Sequence, residues 1–401
     1  MGVTARDEHP GQWRMLALLA CAELLGMSLW FAGSAAAPLL RVEWNLTDAQ
    51  VAWLTNAVQL GFVAGTALSA MMNLPDIIPS GKFFAVSAVL GALANAWLPF
   101  AGSVPQAIAS RFLSGAFLAG VCPPAMKMAA TWFRDRRGLA VGTIVGALTV
   151  GKAGPYLISA IPNAGVGFVT LLSSGGALTA AAIVLLGYHD GPHAFPSRPF
   201  AWTRVREVVA SRHWRLALGG YLGHMAELYS YWTWIPAFVA ASALGDPHAL
   251  TSPASPAVKV LSFAVIAVGG AGCVWGGLVA DRIGRVALVT RALAVSGACC
   301  AAIGLLFGHS LWLLAPVALV WGFFIIADSA QFSVLVTESV ASHAVGTAIT
   351  MQVSLGFLLT TITIQAVPPI VRTVGWPWVF AVLALGPVLG ILPIRRLSAA
   401  V

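Results

Sequence analysis

Long apolar stretches follow one another near 14–38, 49–70, 83–102, 105–130, 138–161 and 164–188, then near 214–242, 258–280, 286–307, 311–336, 344–367 and 375–394. A membrane-crossing helix needs about 20 predominantly apolar residues, and each stretch supplies them. The pattern predicts twelve spanning helices. The second has a start signal: Thr47-Asp48-Ala49-Gln50 is a capping-box sequence. The longest polar connection is 189–212, whose centre, 200–210, mixes apolar and basic residues as a short interfacial helix does. The chain thus divides into a six-helix bundle over 1–188, a linker over 189–212 and a second six-helix bundle over 213–401.

The two bundles look like copies of one unit. Ala22-Glu23-Leu24 recurs as Ala226-Glu227-Leu228, 204 residues on, and residues 13–38 share seven identities with 217–242, among them Trp30 with Trp234. Ala140-Val-Gly-Thr143 and Ala344-Val-Gly-Thr347 repeat at the same offset. Six spans repeated in one orientation imply pseudo-symmetric halves about an axis along the membrane normal, with substrate bound between them near the midplane.

Composition agrees. Of 401 residues 59% are hydrophobic and 9% charged, against about 25% charged in soluble proteins. A net charge of +8 would suit nucleic acid, but its placement argues for topology instead. With both termini cytoplasmic, 17 of the 22 lysines and arginines fall on the cytoplasmic side, the bias that orients membrane proteins. We therefore expect a multi-pass protein of the inner membrane, partnered by lipid and not by nucleic acid. Eighteen Arg against four Lys, with much Ala and Gly, point to a bacterial source. All five cysteines lie in apolar segments, so no disulfide framework is expected. The chain has no P-loop, His-Glu-x-x-His, Gly-x-Ser-x-Gly or Cys-x-x-Cys. The reading is therefore of no enzyme, no cofactor and no bound metal.

Polar residues inside the spans carry the candidate chemistry. An acid near a bilayer centre costs roughly 2.5–3.5 kcal/mol on insertion scales, so it marks function by default. Glu23 shares a helix face with Trp30, and Glu227 with Tyr231 and Trp234, with His224 one turn before. Glu23 has Ala20 and Met27 where Glu227 has His224 and Tyr231. The two acids are thus expected to differ, Glu23 carrying a proton and Glu227 contacting substrate. Lys152 lies too deep to snorkel easily. It either binds an anionic substrate or is neutralised by an intramembrane acid, and both readings stay open. Arg111, nearer a span end, could reach outward. Asp328, Gln331 and Gln352 complete the set, although the two amides also suit interhelical bonding. Pro123-Pro124, Pro236 and Pro368-Pro369 read as kinks.

The connection between the eighth and ninth spans reads Gly277-Leu-Val-Ala-Asp281-Arg282-Ile-Gly284-Arg285. It resembles the gating signature of the major facilitator superfamily. The first-half turn through Asp76 is degenerate, keeping one acid and one base without Arg-x-Gly-Arg. Arg111-Phe-Leu-Ser-Gly115 resembles the family's Arg-x-x-x-Gly motif, linked to proton coupling. The glycines of 142–154 resemble the antiporter motif, interrupted by Lys152. Among subfamilies the chain is loosely similar to bacterial cyanate and nitrate/nitrite permeases. The resemblance implies an all-α membrane fold of two six-helix bundles that moves a small molecule by alternating access.

The expected function is a monomeric secondary transporter for a small solute, an anion slightly favoured, coupled to protons. The alternatives are a drug or metabolite efflux antiporter and, in another class, a transporter-like receptor or scaffold that moves nothing.

Overall fold

The computed structural model describes residues 9–133, 136–193, 200–250 and 254–398; Arg6, Arg134 and Arg198 of the charge count lie outside them. The helical stretches are α1 Gln12–Trp44, α2 Asp48–Met71, α3 Ser80–Phe100, α4 Val104–Ala130, α5 Arg137–Ser159 and α6 Val166–Gly187, then α7 Arg212–Leu244, α8 Pro256–Ile283, α9 Arg285–Leu306, α10 Leu311–Glu338, α11 Ser342–Val374 and α12 Trp376–Leu397. Among the described residues, eleven of these are long and apolar enough to cross a membrane. The exception is α7. Its 33 residues give ample length, but Glu227, His224 and a run of Tyr and Trp dilute its hydropathy. The least apolar helix is the one richest in candidate chemistry.

Local sequence explains the ends and breaks. At the start of α2 the Gln50 N–H donates to Thr47 Oγ1 (3.3 Å) and the Thr47 N–H to Gln50 Oε1 (2.8 Å), so the capping box forms. The Ser211 hydroxyl caps α7 by accepting from the Trp214 N–H at 3.2 Å. In α4 the chain turns over Ala119–Val121 and restarts at Cys122-Pro123-Pro124, because proline suits a first helical turn and cannot continue an earlier one. The α1 ladder is interrupted between Met27 and Ala32, and that of α10 at Asp328. Between the sixth and seventh helices a short helix runs Val205–Ala210.

Packing repeats. The neighbours α1–α5, α1–α6, α2–α4, α3–α4 and α3–α6 recur as α7–α11, α7–α12, α8–α10, α9–α10 and α9–α12. The two sets meet through α2 against α11 and α5 against α8. Small residues make the approach close, as in membrane bundles generally. A Cβ on Gly146 would lie 2.8 Å from the Gly270 carbonyl oxygen, and one on Gly151 2.2 Å from that of Leu24.

Candidate substrate site

Lys152 is buried on α5, where the first repeat meets the second. Its Nζ donates to the Tyr229 hydroxyl at 2.7 Å. It lies 3.8 Å from the Trp30 ring centroid, 4.8 Å from that of Trp232 and 4.9 Å from that of Tyr229. A desolvated ammonium gains about 2 kcal/mol or more over an aromatic face, so three rings help hold a charge that would otherwise be costly here. Phe62 of α2 and Phe357 of α11 close the cluster, 5.1 and 5.7 Å from Trp30. The cage therefore joins α1, α2 and α5 to α7 and α11. Sequence reasoning found Lys152 and Trp30 but missed Tyr229, Trp232, Phe62 and Phe357. The one available signal was the density of aromatics in Tyr229-Ser-Tyr-Trp232.

Trp30 reaches the cage from the turn that interrupts α1. Such a break leaves carbonyls without helical donors, and Arg111 supplies them. Its Nη2 donates to the carbonyls of Leu29 (2.8 Å) and Trp30 (2.6 Å), and its Nη1 to Asn95 Oδ1 (2.6 Å). Asn95 in turn donates to the Thr170 carbonyl and the Ser174 hydroxyl. Arg111 is fully buried and does not snorkel outward. It braces the kink that presents Trp30.

A cavity lies between α1, α2, α5, α7 and α8, on the Asp48 side of the cage. Ser34, Thr55, Tyr156 and Thr233 line it. One helical turn deeper on α2, α5 and α7 come Gln59, Lys152 and Tyr229, and Trp30 precedes Ser34 across the α1 break. Gln59 is fully buried, and neither its amide nitrogen nor its oxygen has a partner.

Glu23 is also fully buried, and no N–H or O–H donor reaches either of its oxygens. Its polar neighbours are the Cys122 thiol and, through space, the Lys152 ammonium. Glu227 differs. It accepts from Trp321 Nε1 at 2.8 Å and from the Ser296 hydroxyl at 2.9 Å, inside the second bundle. Tyr231 does share its face and points the same way, its hydroxyl 3.0 and 3.1 Å from the carbonyls of Val265 and Ala318. Trp234 donates to the Ile364 carbonyl. The structure thus brings none of Glu227, Tyr231 and Trp234 to the cage. His224 Nδ1 lies 3.0 Å from Asp328 Oδ1, both buried, at the break in α10. Gln331 is buried one turn on, and Gln352 is buried on α11 with no partner for its amide.

A buried cation at a seam between repeated bundles, beneath a cavity, is the arrangement of a carrier. A sequence model described as Major Facilitator Superfamily matches residues 18–363. The chain belongs to the major facilitator superfamily. Among solved structures, that of a point mutant of the nucleoside transporter NupG is similar at a TM-score of 0.69 and 13% identity, covering 96% of this chain and 99% of that one. Identity at that level speaks for the fold alone. No curated protein sequence matches.

As a superfamily member the protein is a multi-pass secondary transporter for a small molecule. The Gly277–Arg285 segment has a definite geometry. A Cβ on Gly277 would stand 3.0 Å from the Gly138 carbonyl oxygen, and the Asp281 carboxylate lies beside Gly138, where α5 begins. A helix N-terminus attracts negative charge, so the motif draws the end of α8 onto the start of α5. Gly284 turns the chain at φ 85°, a conformation few other residues adopt. Arg285 pairs with Glu338 at 3.1 Å, while Arg282 is exposed. Asp76 falls in the short helix Leu74–Ile77, its side chain outside what is described. At the opposite end Asp48 pairs with both Arg41 and Arg372, tying α2 to α11.

Proposed function

We propose that this transporter carries a small anion, bound at Lys152, by rocking α1–α6 against α7–α12, and that Glu23 couples the cycle to protons. The observation that carries the reading is the caged ammonium. Its ligands come from α1 and α7, equivalent helices of the two repeats, so relative motion of the repeats must change its surroundings. Low local dielectric strengthens its pull on an anion and its repulsion of a cation. Glu23 supports the coupling role because it is a buried acid beside the Lys152 ammonium, whereas Asp328, whose oxygens likewise lack a hydrogen bond, faces His224. The placement of lysines and arginines supports a cytoplasmic location for the Asp281 end and both termini, in a bacterial inner membrane.

Lys152→Ala in proteoliposomes tests this. Anion binding and flux should fall at least tenfold while thermal stability stays within a few degrees. Normal flux with lowered stability would make Lys152 a structural partner and remove the anion preference. A second reading, efflux of a lipophilic cation, has the ring-walled cage and unpartnered Glu23 in its favour. It requires Lys152→Ala to raise cation binding.

A further inference from the structure

We propose that the solute held at the Lys152 cage is a planar organic anion, an aromatic or heteroaromatic monocarboxylate. The inference rests on the reading of Lys152 as a substrate ligand and narrows it to a chemical class.

Polar atoms lining the cage are mostly donors with protons to spare. Lys152 Nζ carries three protons and directs one to Tyr229. The indole N–H groups of Trp30 and Trp232 are buried without an acceptor. A carboxylate accepts through two oxygens and about four lone-pair sites. It can therefore satisfy these donors together, and bonds to an ionised acceptor are roughly twice as strong as neutral ones. One ammonium matches one negative charge, and Glu23 close by opposes a second.

The walls select the remainder of the molecule. Trp30, Phe62, Tyr229, Trp232 and Phe357 meet at ring-centroid distances of 4.8 to 5.9 Å and at tilted or edge angles. Aromatic rings prefer such offset and edge-to-face contacts with another ring, so an aromatic guest gains contacts here that a saturated ring lacks. Gln59, one helical turn from the cavity-lining Thr55, is buried with neither its amide nitrogen nor its oxygen partnered. Its NH2 can donate to a ring heteroatom or substituent and its oxygen can accept from one.

Calorimetric titration of the purified full-length protein tests the class. The probes are benzoate, cyclohexanecarboxylate, phthalate and benzyltrimethylammonium at one pH. Benzoate should bind, with cyclohexanecarboxylate and phthalate each at least tenfold weaker and the cation silent. Trp30→Phe and Trp232→Phe keep a ring but lose the N–H, and each should weaken benzoate about tenfold or more. Circular dichroism melting shows which variants fold, so that either can carry the test. Equal affinity for benzoate and cyclohexanecarboxylate would overturn the proposal, as would wild-type benzoate affinity in both folded variants or binding of the cation alone. Should nitrate or acetate bind through Lys152 while benzoate does not, the planar class fails and the anion reading survives. Should no anion bind, both fail.

Discussion

Glu23 and Glu227 occupy equivalent places in the repeat, yet their surroundings have diverged. Glu227 is held by Trp321 and Ser296, whereas Glu23 has only the Cys122 thiol and the Lys152 ammonium beside it. Glu227→Ala would strand a buried indole N–H, a loss of about 1–3 kcal/mol. The expected result is a lower melting temperature with anion affinity unchanged, read by thermal denaturation beside ligand titration. Glu23→Gln should instead abolish accumulation driven by a pH gradient and spare counterflow exchange; pH-driven uptake at wild-type rates would remove Glu23 from the coupling step. The sequence makes both acids visible because a membrane carboxylate is costly wherever it stands. It does not show their partners, because Ser296 and Trp321 arrive from helices 69 and 94 residues away. Arg111 reads from sequence as free to reach outward for a related reason. The carbonyls it serves exist only because α1 breaks at Leu29 and Trp30, and no proline or glycine pair announces that break.

Among the elements, the spans were legible because hydrocarbon demands long apolar helices, although α7, read as a span like the others, falls short of that apolarity once its polar run is counted. The α1 break and the approach of α5 were not legible, since both depend on what each helix faces. Gly151 lies where α5 meets α1, and a methyl group there would stand 2.2 Å from the Leu24 carbonyl oxygen. Gly151→Ala should therefore destabilise the protein by about 1–3 kcal/mol or more through overpacking, detected as a lowered melting temperature. Gly154, at which a Cβ would meet nothing within 4 Å, provides the control and should tolerate alanine. At the Arg372 end, Asp48 between two arginines binds α2 to α11. Both arginines keep access to water, so neutralising Asp48 removes the tie between the helices without stranding a buried charge. Asp48→Asn should thus loosen that end, and cysteine accessibility of residues lining the cavity should rise.

At the scale of the whole molecule, two repeated bundles enclose one caged cation. Contacts at both ends join the bundles, glycine-lined α5 against α8 at one and Asp48 with Arg372 at the other. The intact Gly277–Arg285 signature against a degenerate Asp76 turn makes the Asp281 end asymmetric. Asp281→Ala should impair flux more than Asp76→Ala, and equal losses would refute the asymmetry. The repeat itself was readable from Ala22-Glu23-Leu24 and its copy, but the cage was not, since its rings and lysine come from five helices. The central claim is that these bundles rock about Lys152. Spin labels at exposed positions can follow both ends at once: Val42 with Val374 near Arg372, and Met72 with Ser342 near Asp281. Pulsed distance measurements across a pH series, with and without benzoate, should show one distance lengthening as the other shortens, with Lys152→Ala losing the response to benzoate but not to pH. Two distances that stay fixed under every condition would contradict alternating access and leave a scaffold that moves nothing.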